Sequence, residues 1–201
     1  MANWADTNYV IEGPEEVLKK LYKALEHHET AEGSPSDWEG NVLKALGIEW
    51  EVFKVDQIGG TVKVEGHYLR GFIQDFSWGN DKHTTIKIYA EEAWGLTDFY
   101  KLLEKSFPEI KVYYIVEEPG GDIYATNDSE GKYFSDRYFV DTCINGDYES
   151  EYFETEEEVY KWLTQITKGK VKTKEDAENF NDGVSIGEDD FIYIHEFDVV
   201  Q

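Results

Sequence analysis

The chain passes from a strand to a helix within Thr7-Asn8-Tyr9-Val10-Ile11-Glu12-Gly13-Pro14-Glu15-Glu16. The first half of this stretch carries apolar and β-branched residues, which favour a strand. Proline is favoured in the first turn of a helix, and the two glutamates complement the positive end of the helix dipole. Apolar residues then recur at helical spacing from Val17 to Leu25. The stretch predicts that the fold begins with a β-α unit.

A hairpin is predicted further along the chain. The strand at 67–78 is expected to place Tyr68, Phe72, Phe76 and Trp78 on one face, since strand side chains alternate. The turn Gly79-Asn80-Asp81-Lys82 leads to a return strand with Ile86, Ile88 and Ala90 inward. Two strands joined by so short a turn are antiparallel.

A second helix and a fourth strand complete the pattern. Thr97 is predicted to cap a helix that Pro108 ends, and a strand is predicted from Ile110 to Glu118. The resulting order, β-α-β-β-α-β, predicts an α+β fold, a ferredoxin-like plait with an antiparallel sheet and its helices on one face.

Residues 30–66 are predicted to be an insertion between the first helix and the second strand. Within it, Ser36-Asp37-Trp38-Glu39 reads as a capping box: Ser36 bonds the backbone of Glu39, and the Glu39 side chain reaches back. We therefore expect a short helix to begin here.

A β-rich extension follows Pro119-Gly120-Gly121. Strands are predicted at 122–126, 133–144 and 147–153, continuing the sheet, with Asn145-Gly146 as a hairpin turn. A capping box at Thr155–Glu158, a short helix at 173–180 and a strand at 191–197 end the pattern. We predict a ferredoxin-like domain at 1–145 with the 30–66 insertion, and an acidic C-terminal extension at 146–201 packed on the same domain.

The charge is strongly negative, with 43 acidic and 19 basic residues and a net charge of −24. Nucleic acids and anionic membranes are bound through positive charge, so we expect no direct binding to either. A basic protein is the partner class that this charge favours. Cys143 is the only cysteine, which excludes an intrachain disulfide. Since no signal-peptide pattern or transmembrane stretch is found, we expect a cytoplasmic protein.

Several short motifs, in this order and spacing, resemble the YubB-like ferredoxin-fold family. They are Met1-Ala2-Asn3-Trp4, the strand into Gly13-Pro14-Glu15-Glu16, Trp78-Gly79-Asn80, Glu92-Ala93-Trp94 and Phe107-Pro108-Glu109. The resemblance covers residues 1–145 and implies a small protein carried on plasmids, phages or other mobile elements. The family's turn after Trp-Gly usually continues into Lys-Trp, whereas Asn80-Asp81 follows here. The resemblance implies no activity.

A candidate binding surface lies in 147–158, which holds seven acidic residues and no basic one. One interpretation is an exposed strand edge followed by a charged first helical turn. The other is a tyrosine-bearing acidic surface for a basic protein, and we take its candidate residues to be Tyr148, Glu149, Glu151, Tyr152, Glu156 and Glu157.

No catalytic, metal-binding or nucleotide-binding motif is found, so we predict no catalytic residue, no metal and no cofactor. We expect a non-catalytic protein-interaction or accessory factor of a mobile genetic element. The alternative is an acidic DNA mimic that inhibits a host nuclease or DNA-binding protein. A hydrolase or metal-dependent enzyme is the third hypothesis.

Overall fold

The computed structural model describes residues 3–27, 38–51, 54–58, 61–183 and 190–200. It confirms a mixed α/β fold whose strands are mostly antiparallel. The chain divides into two compact units, residues 1–123 and 124–201. The boundary proposed from the sequence, at residue 145, lies in a hairpin turn of the second unit.

The first unit holds three helices and six strands among its described residues. They are β1 (Trp4–Glu12), α1 (Glu15–Leu25), α2 (Trp38–Ala45), β2 (Lys54–Ile58), β3 (Thr61–Glu65), β4 (Gly71–Trp78), β5 (Thr85–Ala93), α3 (Phe99–Ser106) and β6 (Lys111–Glu118). Four strands form an antiparallel array in the order β6-β1-β5-β4. The segment predicted as an insertion contains α2 and the separate β2–β3 hairpin, while Ser36 of its capping box lies outside the described residues.

Helices α1 and α3 pack on the same face of this sheet. The register aligns Tyr9 of β1 with Ile88 of β5, and Ile88 with Phe76 of β4, so these side chains share a face. Phe99 of α3 contacts the Tyr9 ring with centroids 6.1 Å apart. Tyr22 of α1 contacts Phe76 at 5.2 Å. Their contacts place both helices over one side of the sheet.

The predicted faces of β4 are wrong. The strand begins at Gly71, and its register with β5 shifts between Ile73 and Asp75. An extra residue at a β-bulge reverses the alternation of the side chains that follow it. Phe72 therefore lies opposite Glu91, whereas Phe76 and Trp78 pair with inward-facing isoleucines.

The expected cap of α3 also differs from the structure. Helix α3 begins at Phe99 with Asp98 in the N-cap position, one residue beyond the predicted Thr97. Thr97 is buried instead, and its hydroxyl lies 2.9 Å from Oε2 of Glu39. The Glu39 carboxyl therefore reaches across to the segment before α3.

Among its described residues, the second unit contains two helices and a three-stranded sheet. Its elements are β7 (Ile123–Thr126), β8 (Tyr138–Ile144), β9 (Asp147–Phe153), α4 (Glu156–Ile166), α5 (Lys174–Asp182), β10 (Phe191–Glu196) and β11 (Asp198–Val199). The sheet has the antiparallel order β10-β8-β9, and β11 pairs in parallel with β7. This sheet is distinct from that of the first unit.

One face of the β10-β8-β9 sheet is covered by α4 and α5. Val140 of β8 and Ile192 of β10 form a core with residues of the helices and their connection, namely Val159, Leu163, Val171 and Ala177. The predicted capping box of α4 is confirmed: the Thr155 side chain accepts the Glu158 amide, and the Glu158 carboxylate accepts the Thr155 amide. The predicted last helix is present as α5, and Cys143 of β8 is fully buried.

Candidate functional site

The predicted binding residues divide among three surfaces of the second unit. Tyr148 and Tyr152 lie on the face of β9 that points away from the helices, because their register partners in β8 are Cys143 and Phe139. Glu149 and Glu151 point to the other side of the strand, since Glu151 aligns with the core residue Val140. The structure therefore separates the tyrosines from the glutamates of β9.

Tyr193 of β10 joins Tyr148 and Tyr152 on the side of the sheet away from the helices, and we call these three residues the tyrosine face. Their exposed fractions are 69% for Tyr148, 42% for Tyr152 and 53% for Tyr193. Three large aromatic side chains exposed on one small sheet are unusual, because most aromatic surface is buried on folding. The tyrosine face is thus a candidate contact surface.

Neighbouring rings fix the tyrosine face in place. Tyr193 stacks on Phe191 with centroids 4.8 Å apart, and Tyr148 contacts the same phenylalanine edge-on at 6.2 Å. Tyr152 packs on Phe139 at 4.9 Å. These contacts hold the exposed rings on a rigid sheet, which reduces the entropy lost when a partner binds.

Asp141 of the central strand, β8, places a negative charge on the same side of the sheet as the tyrosine face. Asp141 aligns with Tyr193 on one side and with Ser150 on the other, and Ser150 lies between Tyr148 and Tyr152 along β9. A carboxylate beside electron-rich rings favours a lysine or arginine side chain, through ion pairing and cation–π contact together.

Glu156 and Glu157 lie on α4, away from the tyrosine face. Both are exposed in the first helical turn. Glu156 also lines a cavity of about 310 Å³ together with Tyr138, Tyr160, Lys174 and Glu178. Burial first, and then the charge of Glu156, raise the pKa of Tyr160, so this phenol stays a neutral hydrogen-bonding group. Sequence reasoning joined these glutamates to β9 only because they are adjacent along the chain.

Tyr193 was missed because its strand neighbours could not be assigned. The alternating run 191–197 indicated that Phe191, Tyr193 and His195 share a face. The sequence alone did not show that β10 would lie beside β8, opposite β9. The hydrophobic alternation was the available signal, and the strand order was the missing information.

Two motifs that are distant in the sequence meet in the first unit. Trp4 aligns with Ala93, and the Trp94 amide donates to the Asn3 carbonyl at 2.7 Å. The Arg70 guanidinium lies over both indole rings, 5.8 Å from the Trp4 centroid and 5.0 Å from that of Trp94. Trp94 adopts a φ of 58° and remains 55% exposed. This arrangement is a second exposed aromatic surface.

A buried pair of carboxyl groups lies in the same unit and was not predicted. Glu39 of α2 and Glu92 of β5 are both fully buried. The Thr97 hydroxyl oxygen lies 2.6 Å from Oε1 of Glu92 and 2.9 Å from Oε2 of Glu39, and so bridges the two groups. The sequence pattern predicts a helix cap for Glu39, and no pattern marks Glu92 as its neighbour.

Glu92 receives hydrogen bonds from β1 and from the segment before α3. The Thr7 hydroxyl donates to Oε2, while the Tyr9 hydroxyl, at 2.8 Å, and the Thr97 amide, at 3.2 Å, donate to Oε1. Burial first, and then the charge of Glu92, raise the pKa of Glu39 well above its ordinary value. Burial and both carboxyls likewise raise the pKa of Tyr9. The arrangement favours one negative charge over two.

Among the described residues, no three histidine, cysteine or acidic side chains converge as a metal site. In the same part of the chain, no helix is long and apolar enough to cross a bilayer. Comparisons with protein-family models, curated proteins and solved structures gave no match to this chain.

Proposed function

We propose that this protein is a non-catalytic interaction factor of a mobile genetic element that binds a basic protein through the tyrosine face. The observation that carries the proposal is the exposure of Tyr148, Tyr152 and Tyr193 on one side of a rigid sheet. Tyrosine is enriched among the residues that dominate binding energy at protein interfaces. The face is therefore suited to a protein partner.

The charge of the second unit supports a basic partner. Residues 124–201 contain 20 acidic and 7 basic residues, for a net charge of −13. Such a field accelerates encounter with a positively charged protein and disfavours acidic competitors. Asp141 within the sheet then supplies a local contact for a lysine or arginine.

We further propose that the first unit is a ferredoxin-like plait related to the YubB-like family, which is the source of the mobile-element context. The strand order β6-β1-β5-β4 is the order expected for that plait when β4, β5 and β6 are taken as its second, third and fourth strands. The contact between the Asn3-Trp4 and Glu92-Ala93-Trp94 motifs supports this relationship, because both motifs then contribute a tryptophan to the same exposed aromatic surface.

Photo-crosslinking in native lysate tests the binding surface. A photoreactive phenylalanine analogue would replace Tyr193 in one protein and Glu157 in a control, both of which are exposed. We expect position 193 to capture a discrete basic protein that position 157 does not. The purified partner should bind the Tyr148→Ser/Tyr193→Ser double variant at least about tenfold more weakly, since each anchor of this kind contributes about 1–2 kcal/mol or more.

Two results would count against the proposed surface. One is equal capture at positions 157 and 193, and the other is unchanged affinity of the double variant. The DNA-mimic hypothesis makes a different prediction, because duplex DNA would then compete for the captured protein and Glu156→Gln/Glu157→Gln would weaken binding as strongly as loss of the tyrosines.

A further inference from the structure

The bridge between Glu39 and Glu92 requires an additional proton. A hydroxyl group has one hydrogen, so Thr97 can donate to only one of the two carboxyls that its oxygen approaches. The other close approach must be a hydrogen bond that Thr97 accepts. Two ionised carboxylates on either side of this hydroxyl would leave one oxygen–oxygen contact without a hydrogen.

The hydrogen bonds assign this proton to Glu39. Glu92 accepts from Thr7, Tyr9 and the Thr97 amide, which suits an ionised carboxylate. Thr97 then donates its hydroxyl hydrogen to Glu92 at the shorter distance and accepts from Glu39 and from the Phe99 amide, the latter at 3.3 Å. Oε1 of Glu39 is buried without a hydrogen-bond partner among the described residues, which favours the neutral acid.

We propose that Glu39 and Glu92 form a one-proton site in which Glu39 stays protonated at neutral pH, and that loss of this proton weakens the docking of α2 on the sheet. Glu39 belongs to α2, whereas Glu92 belongs to β5 and Thr97 to the segment before α3. The proton is thus bound between a helix and the sheet on which that helix packs. Its release would place two adjacent negative charges in a buried site, where repulsion is strong.

Among the described residues, the groups around this site do not offer a compensating positive charge. The titratable neighbours are Tyr9 from β1 and Tyr68 from the segment before β4; burial first, and then negative charge on Glu39 and Glu92, raises the pKa of both. The charge of Arg70 lowers the pKa of Tyr68, but Arg70 is not among the groups that shift the pKa of Glu39. The charged side chains of α1, α3 and β4 that surround α2 are exposed or half-buried: Glu15, Glu16, Lys19, Lys20, Lys23, Lys101, Glu104, Lys105 and Asp75.

The direction of the pH effect follows from linkage. The docked state holds the Glu39 proton more tightly than an opened state, in which the pKa returns to about 4.5. Docking is therefore strongest below that pH and weakens as pH rises toward the elevated pKa of the docked state. Within this window the equilibrium constant for opening rises by up to about tenfold per pH unit.

Amide hydrogen exchange in the full chain measures this opening. The Leu46 amide, which donates to the Val42 carbonyl at the end of α2, reports on the helix. After correction for the intrinsic exchange rate, we expect its protection factor to fall with rising pH in the wild type. In Glu39→Gln, which mimics the neutral acid, the fall should disappear. Exposed Glu49→Gln is the matched control and should behave like the wild type.

Two further measurements discriminate between the carboxyls. Glu92→Gln should lower protection at every pH, because an amide cannot accept all of the donors that surround Glu92. Carbon NMR of labelled glutamate side chains should show one neutral carboxyl at pH 7 in the wild type. A pH profile of Glu39→Gln that parallels the wild type would overturn the proposal. If that variant does not fold, a wild type with every glutamate ionised at pH 7 would overturn it equally.

Discussion

The Glu39 carboxyl group occupies the space that a Cβ atom at Gly71 would need, because a methyl group there would overlap both carboxyl oxygens. We therefore expect Gly71→Ala to lower the free energy of unfolding by about 1–3 kcal/mol, as overpacked substitutions do. Urea denaturation measures the change. In a Glu39→Ala background the same substitution should cost much less, and an undiminished cost would show that the clash lies elsewhere.

Residues in this buried site show why polar function is hard to predict from sequence. Thr97 and Glu39 each matched a capping pattern, and local patterns are read from neighbours along the chain. In the structure the Thr97 hydroxyl contacts Glu39, which is 58 residues away, and Glu92, which is 5 residues away. The strand that contains Tyr9 was predicted, but nothing local predicted which hydroxyls and carboxyls would meet there.

At the scale of elements, the N-terminus of α4 depends on its capping box. Thr155 accepts the Glu158 amide at 3.3 Å, and Glu158 accepts the Thr155 amide at 3.1 Å. Thr155→Ala should lower the free energy of unfolding by about 1 kcal/mol, since it removes one partner of this reciprocal pair. Thr155→Ser retains the hydroxyl and should be close to the wild type in urea denaturation. Equal losses in the two variants would contradict this role.

The C-terminus of α4 contains a strained residue. Lys168 has a φ of 54°, a backbone conformation in which glycine is usual. The backbone amide of the following residue, Gly169, donates a hydrogen bond to the Thr164 carbonyl at 2.8 Å. Lys168→Gly should raise the free energy of unfolding by about 0.5–1 kcal/mol, because glycine adopts this conformation without a Cβ penalty.

Lys170→Gly is the matched control for this prediction, since it removes the same charge from an exposed residue without a positive φ. It should be neutral or slightly destabilising, because glycine gains backbone freedom in the unfolded chain. Thermal unfolding of the two variants makes the comparison, and a stabilisation shared by both would point to charge instead of backbone strain.

Strands with regular alternation and helices with regular apolar spacing were predicted from sequence, whereas the faces of the irregular strand β4 were not. The Asn145-Gly146 turn favours positive φ at both positions, and the structure has 54° and 82° there. The bulge in β4 carries no comparable signal, because Ile73 and Asp75 fit either register. Of the tyrosine face, Tyr148 and Tyr152 were named as candidates from the sequence and Tyr193 was not. Strands β9 and β10 were both predicted, but their order around β8 depends on contacts between residues that are distant in sequence.

At the scale of the whole molecule, the net charge of −24 places many like charges on the surface. Raising sodium chloride from about 0.05 M to about 0.5 M should raise the thermal midpoint, because screening shortens the reach of this repulsion to a few ångströms. Exposed ion pairs such as Lys19–Glu15, at 2.9 Å, act in the opposite direction. A midpoint that falls with added salt would mean that such attractive pairs outweigh the repulsion.

The complete burial of the sole thiol, that of Cys143, has a practical consequence. Maleimide reagents should leave the native protein unlabelled, so a cysteine introduced at an exposed position becomes the single reactive handle. Two introduced cysteines, one on each unit, can likewise carry paired spin labels that report the distance between the units, with Cys143 left in place.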